Sequence, residues 1–144
     1  MQYFTIKELT RSDRAVELGI DNHPSLPVVG NLEYLVETLL DPVRAMWGKP
    51  LYVTSGYRCD ELNKAVGGSA TSAHRFGLAA DIVTGLGIAE NNRLFEMLKS
   101  NREGLLFDQI INEYGGRWVH MGTARNDKRK QFLTFDGKHY RLLA

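Results

Sequence analysis

Two histidines and one aspartate hold the chemistry that can be read from this sequence. His74 stands seven residues before Asp81 in the run Ser72-Ala73-His74-Arg75-Phe76-Gly77-Leu78-Ala79-Ala80-Asp81. Asp81 lies among Ala79, Ala80, Ile82 and Val83. A carboxylate is costly to bury there unless a cation or strong donors meet it. A metal held by imidazole and carboxylate would meet it, and zinc accepts both ligand types. A turn cap or an arginine partner would serve as well. His120 sits in Trp118-Val119-His120-Met121, where a histidine is either a hydrogen-bonded core residue or a ligand. Catalytic zinc takes about three protein ligands and keeps a position open. His74, Asp81 and His120 together supply that number.

These residues need elements to position them. Leu78 to Val83 reads as a strand carrying Asp81. Leu105 to Glu113 and Arg117 to Met121 are β-prone and flank Tyr114-Gly115-Gly116, which predicts an antiparallel hairpin carrying His120. Leu51 to Ser55 is another strand, and Gln131 to Phe135 with His139 to Leu143 form a second hairpin about Asp136-Gly137. Thr5 and Glu8 make a capping box for a helix from Ile6. Residues Asp21 to Gly30 read as a loop containing Pro24 and Pro27. Asn31 is expected to cap a helix whose Leu32, Leu35, Val36, Leu39, Leu40 and Val43 recur at helical spacing, with Pro42 bending or breaking it. Arg58 to Val66 and Ala89 to Lys99 complete the helices. Helices lead and strands follow, so the pattern predicts an α+β fold with an antiparallel sheet flanked by helices.

The chain has 144 residues, enough for a single domain spanning residues 1–144 with a core of its own. Its net charge of +1 advertises neither a nucleic-acid nor a membrane partner. Cys59 is the one cysteine, which excludes an internal disulfide and reads as an ordinary half-buried residue. The first residues show no basic segment followed by an apolar run, so no signal peptide is expected. No stretch approaches the ~20 apolar residues of a membrane span. His23 and His139 carry no motif, Trp118 and Tyr57 read as packing residues, and Asp108 and Gln109 as supports of the first hairpin.

The pattern S-x-H-x-x-G-x-A-x-D followed by W-V-H resembles the M15 family of zinc D-alanyl-D-alanine carboxypeptidases, part of a wider group with lysostaphin-type and hedgehog-like domains. Ser55-Gly56-Tyr57-Arg58 and the stretch from Asn63 to Gly67-Gly68 add to the resemblance, which runs from about Leu51 to Met121. The N-terminal part is similar to the smaller phage-type and bacterial members. The resemblance implies a hedgehog/D,D-peptidase-like fold, one Zn2+ ion on His74, Asp81 and His120, and hydrolysis of peptidoglycan stem peptides by a metal-activated water.

The base that such a reaction requires departs from the family's E-x-x-H spacing, because Arg117 stands three residues before His120. Glu113 is the nearest carboxylate. If Tyr114 to Arg117 form a four-residue loop, Glu113 pairs with Trp118 and Ile111 with His120, so Glu113 and His120 become diagonal neighbours on one face. By the resemblance Arg58 steadies the oxyanion or grips the substrate carboxylate, and Ser72 contacts substrate or supports a ligand. The partner expected is a peptidoglycan peptide met by a monomer made in the cytoplasm, which leans toward a lysin released onto the wall. The competing expectation is a zinc-containing wall-binding module without turnover.

Overall fold

The computed structural model describes residues 1–144. Thr5 caps α1 (Ile6–Thr10), its side chain accepting from the Glu8 N–H at 3.1 Å as the capping box predicts. Ser12 caps α2 (Asp13–Leu18) in the same way. Helix α3 (Leu26–Leu35) begins five residues before the expected cap at Asn31, and Pro27 lies in its first turn. Proline is preorganised for that position, so Pro27 starts the helix instead of prolonging a loop. Asn31 is half-buried along α3 and bonds outward, donating to the Phe76 carbonyl and accepting from Arg125.

Pro42 does not break the helix that follows. The turn Val36–Leu40 widens to π geometry, and α4 (Asp41–Trp47) continues with Pro42 in its first turn. A proline has no N–H to offer and clashes with the preceding turn of an α-helix, and the wider turn makes room for it. Gly48, at φ 75°, closes α4.

The six strands are β1 (Tyr52–Ser55), β2 (Ala79–Val83), β3 (Gln109–Glu113), β4 (Trp118–Gly122), β5 (Gln131–Phe135) and β6 (Tyr140–Leu143). They form one sheet in the order β1-β2-β4-β3-β5-β6. All neighbours are antiparallel except β3 and β5, which run parallel. The hairpin signals did not anticipate that pair. It arises because the chain leaving β4 steps across the start of β3 before entering β5. Asp108 fastens this step, its carboxylate gripping the Arg129 guanidinium at 2.7 Å and its carbonyl accepting from Gln131 N–H at 3.0 Å. Gln109 adds a bond to Gln131 at 2.9 Å. Asp108 and Gln109 support the first hairpin as expected, through the Asp108 N–H donating to the Gly122 carbonyl at 2.8 Å and the Gln109–Gly122 pair, and they hold the crossover as well. His139 lies in the turn before β6, outside the strand.

Side chains alternate across the sheet. Ala80, Ile82, Ile110, Val119, Met121 and Phe132 face the helices and are fully buried with Leu35, Leu39, Val43, Leu94, Phe95 and Leu98. The last three come from α6 (Ile88–Ser100), which follows α5 (Asp60–Ala65) in the chain. The opposite face carries Asp81, Ile111, Glu113, His120 and Leu133, all of which line one large cleft. The apolar face thus anchors the strands, and the alternating positions are left for chemistry.

Candidate metal centre

The register places the site on a single rung. Asp81 pairs with His120, His120 with Ile111, and Ile111 with Leu133. Asp81 Oδ1 lies 3.1 Å from His120 Nδ1. His74 comes from a separate segment, the 3-10 turn Ala73–Phe76, which Ser72 caps by accepting from the His74 N–H at 3.2 Å. Gly77 at φ 74° ends that turn, and a Cβ there would lie 2.9 Å from the Val28 carbonyl oxygen. The chain therefore reverses tightly enough for His74 Nε2 to reach within 3.3 Å of Asp81 Oδ1. One donor atom from each of His74, Asp81 and His120 falls within 4.8 Å of the others.

The S-G-Y-R run shapes His74 from behind. The Gly56 carbonyl accepts from His74 Nδ1 at 2.7 Å, and the Arg58 N–H donates to the His74 carbonyl at 3.0 Å. Gly56 itself packs against α1 so closely that a Cβ would sit 2.2 Å from the Leu9 carbonyl oxygen. Because Nδ1 must donate to that carbonyl, a neutral His74 turns the lone pair of Nε2 toward Asp81. The N…G-G stretch is also steric: the Asn63 amide donates to the Ser69 carbonyl at 2.9 Å, and a Cβ on Gly68 would meet Asn63 Oδ1 at 2.1 Å.

The electrostatics make this cluster fit a cation. His74 is 2% exposed and Asp81 7% exposed. Burial pushes the His74 imidazole below its ordinary range, against the pull of the Asp81 carboxylate. Burial pushes Asp81 upward, but the two imidazoles outweigh it and hold its carboxyl well below the usual carboxylate range. With Nδ1 engaged by the Gly56 carbonyl, His74 Nε2 meets Asp81 Oδ1 at 3.3 Å, a contact that needs a proton or a metal cation between the two atoms. Two nitrogens and one carboxylate oxygen converging on a common centre form a donor set that zinc accepts.

Glu113 occupies the place that the hairpin register predicts. It pairs with Trp118, and its Oε2 lies 3.9 Å from His120 Nδ1. The Trp118 indole N–H donates to the same oxygen at 3.0 Å. Trp118 is thus a half-buried wall of the cleft beside Glu113, not the core residue expected from its apolar neighbours. Burial raises the Glu113 carboxyl above its ordinary value, and the nearby Asp81 charge adds to this, against His120, Trp118 and Arg58. Arg58 lines the cleft, makes no ion pair, and leaves a buried Nε without a hydrogen-bond partner. Burial lowers its pKa while Asp81 and Glu113 raise it. The salt bridge that would have given it a structural role is absent.

The cleft encloses about 1170 Å³ and gathers His74, Asp81, His120, Glu113, Arg58 and Ser72. A family model described as peptidase M15 matches residues 2–121. The chain belongs to the peptidase M15 family. The M15 match runs from the segment before α1 into β4 and includes each of these six residues, whereas β5 and β6 lie beyond it. A search of curated proteins found no match to the chain.

Sequence reasoning missed Gly56 as the partner of His74 and the Asn91 and Asn92 amides behind the β3–β4 turn. The glycine of S-G-Y-R was noticed only as part of a motif. A polar pair near the start of a helix carries no pattern that separates a buried amide from a solvated one.

Proposed function

We propose that the chain is a zinc peptidase hydrolysing peptide bonds in peptidoglycan stem peptides, at the D-alanyl-D-alanine bond or a neighbouring one. The observation that carries this reading is the convergence of His74, Asp81 and His120 in the floor of an open cleft, with Glu113 beside them. His74, Asp81 and His120 would hold the ion, which when bound supplies Lewis acidity that acidifies water and polarises a carbonyl.

The protein's own groups divide the remaining work. Glu113 accepts the proton of the attacking water on the oxygen that its neighbours leave free, and then delivers it to the leaving amine. Its raised proton affinity suits both tasks better than an ordinary glutamate would. Arg58, a desolvated cation that makes no direct ion pair, faces the negative charge that develops on the carbonyl oxygen. The Ser72 oxygen accepts from the His74 N–H, which leaves its own O–H free to bind substrate in the cleft. Synthesis in the cytoplasm and release onto the wall complete the proposal.

Mass spectrometry of digested peptidoglycan tests the reading. Release of D-alanine or of stem fragments that stops with chelator is the expected result. Association with the wall without any cleavage would instead make the chain a binding module.

A further inference from the structure

The turn joining β3 to β4 is strained. Tyr114, Gly115 and Gly116 follow one another at φ 52°, 69° and 107°. A run of left-handed residues that includes a tyrosine is held only where the surroundings over-determine it. Glu113 is the residue before this run, so the conformation of the turn decides where its carboxylate points.

Two consecutive amides on α6 hold the turn. Asn91 is 4% exposed. Its Oδ1 accepts from the Thr84 N–H at 2.9 Å and from the Thr84 hydroxyl at 2.8 Å. Its Nδ2 donates to the Gly116 carbonyl at 2.9 Å and to the Arg117 carbonyl at 3.2 Å. Thr84 follows β2, the strand of Asp81, while Gly116 and Arg117 precede β4, the strand of His120. One buried side chain therefore ties both ligand strands to the turn. Asn92 reaches the outer part of it. Its Nδ2 donates to the Gly115 carbonyl at 3.3 Å, and its Oδ1 accepts from Asn112 at 2.8 Å, next to Glu113. A Cβ on Gly116 would lie 2.4 Å from Asn92 Oδ1, so the turn fits the amide only with glycine there.

We propose that Asn91 and Asn92 are positioning residues that clamp the Tyr114–Arg117 turn and so fix Glu113 against Trp118 and His120. Neither touches substrate or reacting atoms. They act by removing the turn's freedom to relax, which would rotate Glu113 away from the indole. This proposal rests on the reading of Glu113 as the base for its kinetic consequence, but not for its structural one.

The test therefore starts on the metal-free protein. The Trp118 indole N–H donates to Glu113, so its hydrogen-exchange rate by NMR reports on that contact. Asn92→Ala and Asn91→Ala should each speed that exchange at least threefold, while the indole of Trp47 exchanges as in the parent. Asn92, half-buried, is the variant that keeps the test open should Asn91→Ala not fold. In the zinc-loaded protein kcat on muropeptide should fall about tenfold, with KM within twofold and zinc affinity unchanged. Unchanged indole exchange in a folded Asn92→Ala protein would overturn the clamp. An inactive parent protein would defeat the peptidase reading and leave the exchange result to decide the clamp by itself.

Discussion

Asp81 and His120 face each other across the β2–β4 pair, with the carboxylate oxygen 3.1 Å from imidazole Nδ1, at the only acidic position in β2. A strand that is otherwise Ala, Ile and Val presents one charge, and the register delivers it to a histidine. The proposed metal site follows from this pairing once His74 is brought in from its own turn.

Glu113→Gln should separate activity from stability. Loss of the base should lower kcat by about 10²- to 10⁴-fold while zinc remains bound. The folded protein raises the carboxyl above its unfolded value. A raised acid contributes no penalty below the ordinary glutamate range, where both states are protonated. It costs stability increasingly as pH climbs through the folded pKa. The glutamine variant, compared with parent in the metal-free form by urea unfolding, should be equally stable in acid and more stable at neutral pH. Equal stability at both pH values would contradict the burial argument.

Arg58 is predicted to be needed as a guanidinium. Arg58→Ala should cost on the order of 100-fold in kcat, and Arg58→Lys should recover little of it, because a lysine lacks the planar fork. Steady-state kinetics on a synthetic stem peptide checks this. Full activity in the lysine variant would show that charge alone suffices.

Gly56→Ala tests the contact between the S-G-Y-R run and α1. The added methyl would meet the Leu9 carbonyl at 2.2 Å. Backbone has to move, at a cost of about 1–3 kcal/mol in unfolding free energy. The same movement should disturb the carbonyl that accepts from His74 Nδ1, lowering zinc affinity roughly 10- to 100-fold. Denaturation curves together with a metal competition assay would read both effects. A variant with parent stability and affinity would contradict the close packing seen here.

Much of the site was legible because it follows local rules. The period of two along β3 and β4 placed Glu113 and His120 on one face, and Tyr114-Gly115-Gly116 allowed the loop length that pairs Glu113 with Trp118, whereas the β2–β4 pairing that joins Asp81 to His120 carried no local signal. The parallel pairing of β3 with β5 was hidden, since it depends on Asp108 and Arg129 meeting across a crossover and not on a turn signal. Pro27 and Pro42 show why composition misplaced helix boundaries: the same residue opens one helix and is accommodated by a π turn in the next. Trp118 was misread because its neighbours Val119 and Met121 are core residues, whereas its own side chain alternates to the cleft.

The central claim is that His74, Asp81 and His120 share a single ion. Calorimetric titration of zinc into chelator-stripped protein tests it most directly, with Asp81→Ala and His120→Ala run alongside. The account predicts one zinc per chain in the parent, with affinity falling in both variants by more than the ~10–100-fold that loss of a supporting partner costs. Zinc binding that survives both substitutions unchanged, or a parent protein that binds none, would contradict it.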